Sequence, residues 1–89
     1  MSDHTSLPSV EKVSEWSPDK VITFLKSYNE EKKLFLRDGD IKIIEDNWVP
    51  GSAFLKLTLE ELLASPYELS GGPAKVIAEL IKTIKGEGE

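Results

Sequence analysis

Apolar positions recur at helical spacing along most of the chain, and no stretch alternates as a strand would. The last third shows this most plainly. Pro73, Ile77, Leu80, Ile81 and Ile84 fall on one stripe, with Lys75, Glu79 and Lys82 opposite, which predicts a helix from about Gly72 to Lys85. Each buried Ile or Leu contributes roughly 1.5–3 kcal/mol. That offsets backbone ordering, at about 1–2 kcal/mol per residue, only if other helices cover the stripe. Upstream, "EWSPDKVITFLKS" carries a full helix start: Ser17 as cap, Pro18 at the first helical position and Asp19 at the positive helix end. Trp16 and Val21 have the spacing of a hydrophobic staple, and Val21, Phe24 and Leu25 form one apolar face.

Shorter elements lie between these two helices. In "LTLEELLA", Thr58 and Glu61 have capping-box spacing, Leu57 and Leu62 make the staple, and Pro66 bounds the helix. "DIKIIEDNW" predicts a short helix with Ile41 and Ile44 inward. Val49–Gly51 reads as a turn, and "SAFLKL" as a brief helix offering Ala53, Phe54 and Leu57 for burial. The charged stretch Tyr28–Asp40 is assigned no regular structure. At least one of Leu34, Phe35 and Leu36 is expected to press inward there, and Asp38-Gly39-Asp40 reads as a turn with Asp40 as a helix cap. Residues 1–11 read as a mobile tail, 12–86 as the domain and 87–89 as a second tail. The expectation is an all-α bundle with its long C-terminal helix packed on shorter ones.

Composition narrows the chemistry. A chain of 89 residues, 39% hydrophobic and 30% charged, fits one small folded domain with little room for a deep catalytic cleft. The absence of cysteine removes disulfides and thiolate metal sites. Neither an apolar signal core nor a membrane-length run is present, so the protein is read as soluble and cytoplasmic, with the nucleus left open. The single histidine, His4, falls in the expected tail, so neither a Ser-His-Asp arrangement nor a structural zinc site is supported. Asp38, Asp40, Glu45 and Asp46 lack the alternation of a calcium loop and read as caps and solvated faces. No enzyme, metal or cofactor is expected. A net charge of −5 argues against nucleic acid and anionic membrane as partners.

"SGGPAK" at Ser70–Lys75 poses a choice between a phosphate cradle, a plain helix start and a docking tip. It lacks P-loop spacing and no strand precedes it. Its glycines let the chain turn and a neighbouring backbone approach, and Pro73 sets the helix direction. Small residues also leave the helix tip uncovered, so its free N–H groups can meet an acidic surface.

Three pieces in order, "VSEWSPDKVITFLKS", "IIEDNWVPGSAFLKLTLEEL" and "YELSGGPAKVIAELIKTIK", resemble a sterile alpha motif (SAM) domain over about Val13 to Lys85. The flavour is closest to SAM domains of fungal multidomain proteins. The chain departs from the family pattern between Tyr28 and Asp40. The resemblance implies a five-helix bundle and a non-catalytic protein–protein interaction module in scaffolding or signalling, commonly associating head to tail with a SAM domain of the same or another protein. It maps an end-helix face onto Gly71, Gly72 and Lys75, and a mid-loop face onto Glu45, Asp46, Trp48, Glu60 and Glu61.

The two faces differ in sign, which would set orientation more than affinity, and a self-contact between unlike faces could propagate as an open chain. Val49 is the better core candidate beside Trp48. An exposed Trp48 is a natural hot spot, whereas a buried one would cover Ile44 or Phe35. The alternative is a SAM-like RNA-hairpin binder using Lys20, Lys26, Lys32, Lys33, Arg37 and Lys75, against which stand the acidic total and the scattered positions.

Overall fold

The computed structural model describes residues 8–86. Among these, the chain forms six α-helices and no strand: α1 (Val10–Ser14), α2 (Pro18–Lys32), α3 (Asp38–Asp46), α4 (Gly51–Phe54), α5 (Leu59–Leu63) and α6 (Gly71–Lys85). The all-α bundle with a long last helix is as expected, with one helix more than the expected five. That helix is α1, capped by the Ser9 side chain accepting from Lys12 N–H, so Val10 and Glu11 of the expected tail are helical.

The local start signals act as read. Ser17 Oγ accepts from Lys20 N–H at 3.3 Å to open α2, and Thr58 and Glu61 exchange both hydrogen bonds of a capping box to open α5. Helix α5 ends earlier than Pro66 alone requires, because Glu68 N–H already donates back to Ala64 O and Leu69 N–H to Leu62 O. The core gathers Val13, Val21, Leu25, Ile44, Phe54 and Leu62, all fully buried, around the inner stripe of α6. That stripe is wider than expected, since Ala74 and Ala78 join Ile77, Leu80, Ile81 and Ile84, while Pro73 is half-buried. Ala53, expected to be available for burial, is exposed.

Two features of the connections were not anticipated. First, Gly51 is more than a turn residue. It begins α4 where that helix meets the end of α1, and a Cβ placed on it would collide with the carbonyl oxygen of Val13. The close approach is fixed by Gly51 N–H donating to Trp16 O at 3.0 Å. Second, the charged segment after Tyr28 is ordered by one side chain. Helix α2 runs on to Lys32 and stops at Lys33, in the left-handed conformation with φ 54°. Asn29 Nδ2 then donates to Leu36 O, and Leu36 N–H donates to Asn29 Oδ1, at 3.1 and 3.0 Å. This two-point clasp turns Leu36 into the core and Phe35 outward.

Asp40 is not the cap of α3 but its third residue. Arg37 occupies the cap position, and the buried Asp40 carboxylate accepts from Arg37 N–H at 3.0 Å and lies 3.5 Å from Arg37 Nε. A carboxylate at the helix N-terminus also meets the positive end of the peptide dipoles.

Gly51→Ala should lower stability by about 3 kcal/mol, the upper range for overpacking, because the clash is with backbone. In a solvent-exposed helix the same change would raise stability by about 1 kcal/mol. The denaturation midpoint therefore decides by its sign. Asn29→Ala should cost about 1–3 kcal/mol by stranding both polar groups of Leu36, with accelerated hydrogen exchange at the Leu36 amide as the local readout.

Candidate functional site

The residues singled out for docking are all on the surface. Trp48 is decided in favour of exposure: 63% of it is open to solvent, while Val49 beside it is buried. The backbone explains the division. Helix α3 ends at Asp46, Asn47 folds its Nδ2 onto Ile43 O at 2.8 Å, and Trp48 takes φ 53°. The left-handed residue reverses the chain, sending Val49 inward and the indole outward.

Around Trp48, Glu45 and Asp46 occupy the last turn of α3, where no basic residue offsets the negative end of the helix dipole. Lys42 reaches Asp46 at 3.4 Å, an exposed pair of small energetic weight. Glu60 and Glu61 stand in the first turn of α5. Glu61 has a further task as the acceptor for Thr58 N–H. Tyr67 is half-buried nearby, and its phenol is held above the ordinary value of 10.0, first by burial and second by the negative charge of Glu61.

The start of α6 is bare. Ser70 takes the cap position without a side-chain hydrogen bond, and a Cβ on Gly71 or Gly72 would meet nothing within 4 Å. Neither glycine has positive φ, and no neighbouring backbone lies close to either; it is Gly51 that makes the close approach instead. The glycines leave an open helix tip whose first N–H groups face outward unobstructed.

The structure also brings together two residues that the sequence reading had placed on opposite faces. Glu60 and Lys75 both line a groove of 580 Å³ between α5 and α6, with Leu57, Leu59, Ala78 and Ile81 as its apolar lining. Lys75 also borders a smaller groove of 350 Å³ with Tyr28, Leu34 and Val76. Along the adjoining face of α2, the rings of Trp16, Phe24 and Tyr28 follow one another at 5.2 and 5.4 Å, and Lys20 Nζ lies 5.7 Å from the Trp16 ring centroid. Sequence reasoning missed Phe35, which is 86% exposed with φ 63°. Its signal was an apolar residue inside a run of cations, "KKLFLR".

Among the described residues no group of three or more metal-binding side chains is placed to hold an ion, and no helix is long and apolar enough to cross a membrane. His4 lies outside the described residues.

A small helical bundle closing on a long last helix is consistent with the sterile alpha motif class. The match to known families agrees: a family model described as a SAM-like domain covers residues 1–83, and the chain belongs to that family. No curated protein and no solved structure matches it. Domains of this class serve in general as non-catalytic protein–protein interaction modules.

The Tyr67 ring gives a direct check on the local electrostatics. Its midpoint in an NMR titration should lie above pH 10.0. Glu61→Gln, which keeps the capping acceptor, should move the midpoint down without restoring the free value, because burial persists. The sign for stability follows. The neutral phenol's contribution is complete below the unfolded value and is lost as pH rises through the raised folded one.

Proposed function

We propose that this domain joins polypeptides through two unlike patches, one acidic and aromatic, the other a bare helix tip with a lysine. The first comprises Glu45, Asp46 and Trp48 at the end of α3 with Glu60 and Glu61 at the start of α5. The second comprises Gly71, Gly72 and Lys75 on α6. Partners are SAM domains of the same or another protein.

The observation that carries the reading is the exposure of Trp48 in a left-handed turn beside the carboxylates that end α3. A large ring held out by rigid backbone loses little entropy on docking, and tryptophan is enriched among residues that dominate binding energy. The carboxylates contribute direction and encounter rate more than affinity. The open N-terminus of α6 provides donors and a positive dipole end that complement them. Glu60 shares a groove with Lys75, so these two members of the unlike patches border one surface of the bundle.

Trp48→Ala should leave the helical signal and melting temperature nearly unchanged, since most of the side chain is in water. It should weaken association by about tenfold or more, the scale of a hot-spot truncation. Concentration-dependent sedimentation compared with circular dichroism checks both. Unfolding of the variant, or undiminished association, contradicts the proposal.

A further inference from the structure

Of every Asp and Asn in the chain, Asp38 alone is followed by glycine. The structure sets this dipeptide apart further. Where another described Asp or Asn stands, the next backbone N–H is engaged. Lys20 N–H donates to Ser17 Oγ, Ile41 N–H to Arg37 O, Asn47 N–H to Ile43 O and Trp48 N–H to Glu45 O, while Glu30 lies inside α2. Gly39 differs. It is the second residue of α3, among those whose N–H groups a helix leaves without an internal partner, and its N–H has no protein acceptor among the described residues. Asp38 and Gly39 are both exposed, and a Cβ on Gly39 would meet nothing within 4 Å.

A free amide nitrogen thus stands next to an uncrowded carboxyl group, and glycine has no side chain to obstruct their approach. Attack requires rotation about the Asp38 Cα–C bond, which opens only the first turn of α3. The bonds given up are those from Asp40 N–H and Ile41 N–H to Arg37 O. Helix ends open at far lower free energy than a packed core.

We propose that Asp38–Gly39 is a self-modifying site, where the backbone link migrates from the α-carboxyl to the side-chain carboxyl of Asp38 in the folded domain. Gly39 N attacks Cγ of the protonated Asp38 side chain. The N–Cγ bond forms, the Cγ–OH bond breaks, and the hydroxyl leaves with the amide proton as water, closing a succinimide ring. Water then adds to the α-carbonyl carbon. The bond from that carbon to nitrogen breaks, the proton returns to nitrogen, and the α-carboxyl is freed. One water is lost and one regained, so the product is an isoaspartyl residue of unchanged mass.

The product lies inside a capping box. Arg37 N–H donates to Asp40 Oδ2 at 3.0 Å, and Asp40 is buried. Isomerisation makes the backbone between Arg37 and Asp40 one carbon longer, which draws the buried carboxylate away from its donors. A buried acceptor stripped of its partners is destabilising. The start of α3 therefore loosens as the chain ages.

Ageing the purified domain near neutral pH, below its melting temperature, tests this. Cleavage after Glu31 and Glu45 releases residues 32–45. The folded wild type should yield, over time, a second form of this fragment with the same mass and a different retention. That form should accept a methyl group from S-adenosylmethionine through an isoaspartyl carboxyl methyltransferase. Gly39→Ala, for which there is space and which suits a helix better than glycine, should lose the second form and melt no lower than wild type. Asp38→Glu keeps the charge but would need a larger ring, and should lose it too. The aged fraction should melt below the fresh protein. No second form from the folded chain, its appearance only in denaturant, or its persistence in Gly39→Ala would overturn the inference. An isomerised fraction that melts like fresh protein would overturn the consequence drawn for the capping box.

Discussion

The fold depends on how closely two backbones approach. At Gly51 the first residue of α4 rests against the Val13 carbonyl, and its N–H is donated to Trp16. No side chain fits between them. This contact closes the end of α1 onto α4, and with it Val13 and Phe54 become fully buried. Short helices cannot supply such closure by themselves, because a helix of one turn has too few internal hydrogen bonds to outweigh its nucleation cost. Helices α1, α4 and α5 therefore exist because α2, α3 and α6 give them an apolar surface to sit on, and Gly51 allows the pieces to meet.

A scaffold of this size spends most of its apolar side chains on its own core. What remains outside is informative for that reason. Trp48 and Phe35 are exposed although Val49 and Leu36, their immediate neighbours, are buried. In both cases a left-handed residue divides the chain into an inward and an outward member. The outward rings are held by Asn47 at the end of α3 and by Asn29 across the α2–α3 connection. The same backbone device thus sets the core and presents the surface, which ties the exposed rings to the fold.

The sequence made the helices with strong local signals legible. Ser17 and Thr58 announce their helices by chemistry that acts within four residues, and the α6 stripe is long enough for its period to be unmistakable. The class of domain followed from three such pieces in order. What stayed hidden depends on contacts distant in sequence. Nothing near Gly51 indicates that Val13 will lie against it, and nothing in "YNEEKKLFLRDGD" shows that Asn29 will reach Leu36. The surface was legible only in part. Charge and composition marked Glu45, Asp46 and Trp48, but placing Glu60 and Lys75 on separate faces required knowing how α5 packs on α6, and they share a groove. Phe35 was counted among residues available for the core, because apolar character alone does not reveal which way a left-handed turn will aim a ring.

The central claim, as proposed, is that two unlike patches on this bundle, the acidic Trp48 face and the open tip of α6, join it to SAM domains, its own copies among them. Amide and indole resonances followed through a dilution series by NMR test that claim most directly. The account predicts that signals at Glu45–Trp48 and at Gly71–Lys75 move together along one binding curve while the amides of the α6 core stripe stay fixed. Spectra that do not change with concentration, or shifts spread evenly through the core, would contradict it.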